Sequence, residues 1–218
     1  MRRDLLTSVR AVLALTVLLG VLYPLLLTGI SQLAFPGNAN GQRVYVHGRL
    51  VGSRLIGQNF ATALVGGNGK PRIRDGLLET TPDPAYFQSR PSATTPPDNA
   101  AATTFSNLGP NSRATLNEIR ANIASYIRLN GPYYPGGLTA TKVPVDAATS
   151  SASGIDPDIS VANAEIQARR IAAVRHLPLA VVERLIHRYT GGLGLGFSGS
   201  VDVNVLELNL ALDRISAR

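Results

Sequence analysis

AVLALTVLLGVLYPLLLTGISQL (Ala11–Leu33) is the stretch whose reading decides this chain. It holds no charged residue, and the uncharged run continues to Gln42. A helix of about 20 residues crosses a hydrocarbon core of roughly 30 Å, so the stretch is long enough to span a bilayer. Gly20 and Pro24 do not oppose this, since membrane helices tolerate both residue types. Arg2, Arg3 and Arg10 precede the run against a lone Asp4, and the next charge is Arg43. The cationic end of a span stays in the cytoplasm. The expectation is a cytoplasmic N-terminus over residues 1–10, a transmembrane helix over 11–33 and an extracytoplasmic domain over 34–218. A cleaved signal peptide is the alternative, with an apolar region of about 7–15 residues and a small-x-small cleavage site close behind. The run here is longer, and Gly37-Asn38-Ala39, the nearest such triplet, lies too far downstream. No cysteine follows Leu27-Thr28-Gly29, which excludes a lipid anchor there. A retained anchor is the preferred reading.

The rest of the 218-residue chain suits one domain of ordinary size, rich in Leu, Ile and Val. It has no Trp and no Cys, so disulfides, thiolate metal sites and cysteine nucleophiles are absent. The formal charge is +7, of which the residues before the apolar run supply +2. The outer cations are arginines apart from Lys70 and Lys142, and they are scattered rather than interleaved with aromatics. That pattern argues against a nucleic-acid partner. Arg169, Arg170 and Arg175 form the densest group, read as a solvated helix face or as salt-bridge partners.

Arg43–Val46 reads as a short strand before a glycine turn, and residues 66–84 read as an exposed loop. Residues 92–112 are polar with little periodicity, either an ordered excursion or a mobile loop. Leu116, Ile119, Ile123, Tyr126 and Ile127 recur at three- and four-residue steps, the stripe of an amphipathic helix expected to pack on a sheet. Ser112 or Thr115 is its candidate cap, and Asn130-Gly131 its left-handed stop. Lys142–Asp146 reads as a short edge strand because of Pro144. Ser160 should cap a helix with Ala164, Ala168, Ile171 and Ala172 on one face. Pro178 is expected at the first position of the next helix, which carries Val182, Leu185, Ile186 and Tyr189 inward and stops at Gly191-Gly192. Val201, Val203 and Val205 alternate with polar residues as a half-buried strand, followed by a short C-terminal helix. The fold class is a single N-terminal transmembrane helix followed by an extracytoplasmic α/β (α+β) domain with a small sheet.

No motif announces catalysis. His47, His176 and His187 match no metal spacing. Gly191–Gly199 lacks the Gly-Lys-Ser/Thr ending of a phosphate loop and lies between a helix and a strand, the reverse of the required order. No Gly-x-Ser-x-Gly elbow is present. The Ser150–Gly154 run ahead of a capped helix is better placed for an anion, because backbone N–H groups at a helix start attract negative charge. A tight turn that needs small residues is the simpler account of it.

Several segments resemble the C subunit of the Kdp-type potassium-transporting ATPase. They are the single span with Gly52–Phe60, Tyr86–Ser92, Ser106–Pro110, Val143–Asp146, Ser151–Ser160 and Asn204–Asn209, in order and over nearly the whole chain. Asp158, Val161 and Phe197–Ser200 depart from the family's usual residues. The resemblance implies a non-catalytic accessory subunit of a high-affinity ATP-driven potassium importer in the cell membrane. Its partners would be a catalytic P-type subunit, a channel-like potassium-binding subunit and a small single-span subunit. It further implies a role in assembly and in raising the catalytic subunit's affinity for ATP. No cofactor of its own is expected, and ATP is the one ligand in question, within the complex. Gln58, Ser151, Ser153 and Gly154 are the candidate nucleotide contacts. An external domain cannot reach cytoplasmic ATP, so the preferred route is coupling between distant sites. Gly20 and Gly29 are candidate sites of close helix approach. Tyr86, Arg90, Tyr133 and Tyr134 are candidate docking residues, as Arg and Tyr favour interfaces. The rival is an independent anchored binding protein or hydrolase of the cell envelope.

Overall fold

A computed structural model of the chain describes residues 2–67, 69–102, 104, 107–192 and 199–216. Its contacts divide the chain into two units, Met1–Ser53 and Arg54–Arg218.

The first unit begins with α1 (Arg2–Val17), passes through a π-turn (Leu18–Leu22) and continues as α2 (Tyr23–Ala34). Together these form one helix of 33 residues, long and apolar enough to cross a membrane. Pro24 accounts for the π-turn. A proline has no N–H to give the carbonyl four residues back, and its ring crowds that carbonyl. The turn widens around Gly20, and the Tyr23 N–H reaches back five residues to the Leu18 carbonyl. The Thr28 hydroxyl then donates to the Pro24 carbonyl at 2.8 Å. No residue of the apolar run is buried. A continuous apolar surface of this size requires lipid or another protein as cover.

After Phe35 come the short α3 (Pro36–Ala39) and a hairpin of β1 (Arg43–Val46) and β2 (Arg49–Ser53). His47 and Gly48, both at positive φ, make its two-residue turn. Two left-handed residues give the turn the twist that antiparallel strands need.

In the second unit β3 (Ala61–Ala63) is followed by β4 (Ile73–Arg74), β5 (Leu77–Leu78) and β6 (Thr80–Pro82). β3 pairs with β6, and β4 with β5 through Asp75-Gly76, again two left-handed residues. The exposed loop expected over 66–84 is thus exposed but built as a hairpin, with Asp-Gly as the overlooked turn signal. Residues 92–112 form no helix or strand among the described residues.

α4 (Arg113–Asn130) is capped by Ser112, whose hydroxyl accepts from the Ala114 N–H. Its end corrects the sequence reading. Neither Asn130 nor Gly131 is left-handed, and the chain runs on into a 3₁₀ turn (Gly131–Tyr133). α4 packs on that turn and on two later helices, not on a sheet, and Leu116 at the start of the expected stripe is left exposed. A second 3₁₀ turn (Ala140–Lys142) leads to α5 (Val145–Ala148), where a strand was expected. Pro144, extended and without an N–H, starts this helical turn, and the carboxylate of Asp146 takes hydrogen bonds that a strand would not present to it.

β7 (Asp158–Ser160) leads directly into α6 (Val161–Val174), which Ser160 caps by accepting from the Asn163 N–H at 3.2 Å. α6 ends on left-handed His176, with the Leu177 N–H donating to the Ala172 carbonyl, a Schellman closure. Pro178 is the cap of α7 (Leu179–Tyr189), one place earlier than expected. β8 (Asp202–Asn204) pairs with β7, and α8 (Val205–Ser216) completes the chain. Only Val203 of the three alternating valines lies buried within the strand; Val205 already opens α8, and Val201 is exposed. Most of the Gly191–Gly199 loop lies outside the described residues.

The second unit is therefore a small-sheet α/β domain whose strands pair two by two. Its core joins Phe87, Ile159 and Val203 to the inner faces of α6, α7 and α8 through Ile171, Val182, Ile186, Leu208 and Leu212. Ala164, Ala168 and Ala172 are also buried, small side chains that let neighbouring elements approach α6 closely. Each fully buried Ile or Leu contributes about 1.5–3 kcal/mol.

Candidate functional site

Residues 87–89, just before Arg90, belong to no helix or strand, so no backbone ladder pairs their N–H and C=O groups. Side-chain amides take that place. The Phe87 N–H donates to Asn209 Oδ1 at 2.8 Å, and Asn209 Nδ2 donates back to the Phe87 carbonyl at 2.9 Å. The next residue repeats the pattern with α6. The Gln88 N–H donates to Gln167 Oε1 at 2.8 Å, and Gln167 Nε2 returns to the Gln88 carbonyl at 3.0 Å. Both amides are buried, so each satisfies backbone groups that would otherwise be orphaned.

A polar spine continues along α6. Gln167 also donates to Asn163 Oδ1, and Asn163 Nδ2 donates to Asp146 Oδ2 at 2.9 Å. The Ser160 N–H and hydroxyl both donate to the same carboxylate. The Tyr126 hydroxyl donates to Asn163 Oδ1 at 2.8 Å. Burial, and then the charge of Asp146, raises the pKa of that phenol, which keeps it a donor. At the other end Arg170 is fully buried. Its guanidinium donates to Asn130 Oδ1 and Gln167 Oε1 at 2.9 Å each, to the Tyr86 carbonyl at 3.0 Å and to the Pro84 carbonyl. Burial lowers its pKa to about 10, which still leaves it charged at neutral pH. The expected solvated face of Arg169, Arg170 and Arg175 is thus corrected for Arg170. Arg175 is the salt-bridge partner of Asp213, at 2.9 Å.

Sequence reasoning missed this spine, although a signal was present. Asn163, Gln167 and Arg170 follow one another by four and three residues, the helical spacing of the apolar stripe itself.

Beside the spine a cleft of about 340 Å³ opens, lined among others by Gln88, Arg90, Asp98, Asn122, Tyr126 and Gln167. Arg90 pairs with Asp156 at 3.0 Å and reaches the Thr149 hydroxyl at 3.4 Å. Asp98 lies close to the Asp156 segment, and burial, then the charge of Asp156, pushes its pKa up to about 7. Gly57 is required beside them: a Cβ there would stand 2.7 Å from the Asp156 carbonyl oxygen and 3.1 Å from Asp98 Oδ1. Among the described residues no cluster could hold a metal ion.

The four candidate nucleotide contacts occupy different settings. Ser151 is buried, and its hydroxyl accepts from the Gly154 N–H at 2.8 Å. The Ser153 hydroxyl accepts from the Ile155 N–H. The turn therefore uses two of its amides on its own serines. Ile155–Pro157 and β7 separate it from α6, so it does not form that helix's N-terminus. Gly154 has φ +74°, and a Cβ would meet the Thr104 carbonyl and Thr94 Cγ2 at 2.7 Å. Gln58 is half-buried in the segment beside it, its carbonyl 3.5 Å from the Ser89 hydroxyl.

The candidate docking residues also divide. Tyr86 stacks on Phe60, carries Arg175 over its ring at 4.5 Å and donates to Asp213. Its pKa is raised by burial and then by Asp213. Tyr134 faces Lys142 and Arg169, at 5.1 and 5.7 Å. Tyr86, Arg90 and Tyr134 thus have partners within their own domain, whereas Tyr133 is exposed. In the membrane-type helix no atom lies within 4 Å of a Cβ built on Gly29, and the nearest to one on Gly20 is Thr16 Cγ2 at 3.9 Å.

Comparison with known proteins covers the whole of this architecture. The family model described as "K+-transporting ATPase, c chain", KdpC, matches residues 5–214. The chain is 42% identical over 216 residues to the potassium-transporting ATPase KdpC subunit of Mycobacterium tuberculosis (strain H37Rv), covering 99% of this chain and 100% of that protein. It is 44% identical over 201 residues to the KdpC subunit of Methylococcus capsulatus, covering 92% of each. It is 38% identical over 214 residues to that of Koribacter versatilis, covering 98% of this chain and 95% of that protein. From its apolar N-terminal helix to its last helix, the chain belongs to the KdpC family, the c chain of the K+-transporting ATPase.

Proposed function

We propose that this chain is a non-catalytic accessory subunit of an ATP-driven potassium importer. It is held in the membrane by the apolar run Ala11–Leu33 of the long helix, with its α/β unit on the extracytoplasmic side. The match to the KdpC family over residues 5–214 carries this reading. The orientation rests on Arg2, Arg3 and Arg10 ahead of a run with no further charge before Arg43. The partners are the catalytic P-type subunit, the channel-like potassium-binding subunit and a small single-span subunit. The chain aids their assembly and raises the ATP affinity of the catalytic subunit. It acts across the bilayer, through a coupling free energy between sites rather than by touching the nucleotide. The internal bonding of Ser151, Ser153 and Gly154 supports that choice, because their turn is already occupied by its own backbone. Among the candidate docking residues, Tyr133 has the exposure that a contact needs.

The cysteine-free sequence makes the placement testable. Val145→Cys, at an exposed position, should react with a membrane-impermeant maleimide in intact cells, and Thr7→Cys only after lysis. The reverse pattern would overturn the orientation. Removing the chain should abolish uptake at low external potassium and raise the ATP concentration for half-maximal hydrolysis by the remaining complex. Unchanged uptake and ATP dependence would sink the accessory role.

A further inference from the structure

The hairpin β1–β2 buries none of its residues, yet it is not loosely attached. Three side-chain contacts brace the segment, one to the end of the long helix, one to α3 and one across the base of the hairpin. Asn40 Nδ2 donates to Gln32 Oε1 at 3.0 Å, Gln42 Nε2 to Asn38 Oδ1 at 2.8 Å, and the Ser53 hydroxyl to the Gly41 carbonyl at 2.7 Å. From Ala11 to Ala34 the helix rises about 36 Å at about 1.5 Å per residue. That slightly exceeds a hydrocarbon core of roughly 30 Å, so α3 emerges at headgroup depth and the hairpin starts there.

Its composition suits that depth. Tyr45 and Leu50 are cross-strand partners, so they share a face, and they are 54% and 58% exposed. Tyrosine is enriched where membrane meets water, its ring in the apolar layer and its hydroxyl among headgroups. Arg43, two residues from Tyr45 on the same strand, shares this face, whereas Arg49 pairs with Val46 on the other face, and no Asp or Glu occurs anywhere from Leu5 to Arg74. A protein partner would be expected to meet such a face with carboxylates or a pocket. An anionic lipid surface needs only exposed cations beside an apolar pair, held at the right height.

We propose that this hairpin seats on the anionic phospholipid headgroups around its own span, with Tyr45 and Leu50 in the interface and Arg43 on a phosphate. The proposal rests on the reading of Ala11–Leu33 as a membrane span.

Because the chain has no tryptophan, Tyr45→Trp provides a single fluorescent probe. The full chain carrying it is placed in nanodiscs of phosphatidylcholine alone or mixed with phosphatidylglycerol, with lipids brominated high on their acyl chains. Quenching by bromine should be at least about twofold stronger in the anionic discs, and Arg43→Gln should remove that difference while Arg49→Gln, on the other face, leaves most of it. Val145→Trp is the reference for a water-exposed site. Quenching of the Tyr45→Trp probe no greater than that of the reference would overturn the proposal. A photoreactive residue at position 45 in cells carrying the complete pump decides the occupant: a lipid adduct supports the proposal, and an adduct to another subunit overturns it. Failure of the chain to enter nanodiscs at all would overturn the span reading and this proposal with it, a result separable from dim quenching in well-loaded discs.

Discussion

Arg170 concentrates the energetics of the second unit in one side chain. Its guanidinium joins α6 to the end of α4 and to two backbone carbonyls of the Pro84–Tyr86 segment. Replacing it with Met preserves much of the volume but orphans several buried acceptors. Breaking such a buried charged network costs about 3–5 kcal/mol. Arg170→Met should lower the urea midpoint of the detergent-solubilised chain accordingly. Arg170→Lys should recover less than half of the loss, since a point charge cannot replace a five-donor fork. Asp98 acts in the opposite direction. Its native pKa, pushed up to about 7, exceeds the unfolded value of 3.8, so the folded state holds the proton more tightly. Stability therefore falls as pH rises from about 4 towards 7, and the full penalty remains above that. Asp98→Asn, which tolerates the left-handed backbone at φ +56°, should match the parent most closely near pH 4, where the carboxyl is still largely protonated in the folded state and only beginning to ionise in the unfolded one. At pH 8 it should be the more stable by about 1 kcal/mol, a figure reduced for partial solvent screening. Thermal melts at the two pH values check this; an equal gain at both would remove Asp98 from the pH dependence.

Among the elements, α6 owes its start to Ser160. That hydroxyl accepts from the Asn163 N–H and donates to Asp146, so it closes a cap and fastens α5 to α6. Ser160→Ala should cost about 1–2 kcal/mol, read from the same urea midpoint, with far-ultraviolet circular dichroism little changed in the folded baseline. This cap was legible in the sequence because a serine stood directly before an apolar helical stripe. Other elements were legible only in part. Lys142–Asp146 shows the apolar alternation of a strand, but Pro144 begins a helical turn and Asp146 supplies the acceptor for Ser160. The periodicity of α4 was read correctly, yet the surface it meets is helical. A stripe states that a face is covered and says nothing of what covers it.

For the whole molecule, the open space around Gly29 separates folding from association. A Cβ built there meets nothing within 4 Å beyond the helix's own neighbouring backbone. Gly29→Leu should therefore leave the chain's own stability unchanged while reducing co-purification with the other pump subunits several-fold, because small residues permit close helix approach in membranes. Full recovery of the complex would show that this face is turned to lipid. The long apolar helix, the capped amphipathic helices and the family itself were determined by the sequence alone, since length, periodicity and local capping act within a few residues of one another. The pairing of β3 with β6 and of β7 with β8, the amide clasps on Phe87 and Gln88, and the burial of Arg170 were decided by tertiary structure. Gln167 meets Gln88, and Asn209 meets Phe87, across separations of 79 and 122 residues. A buried charge is stable only where such distant partners converge, and no local pattern records that convergence.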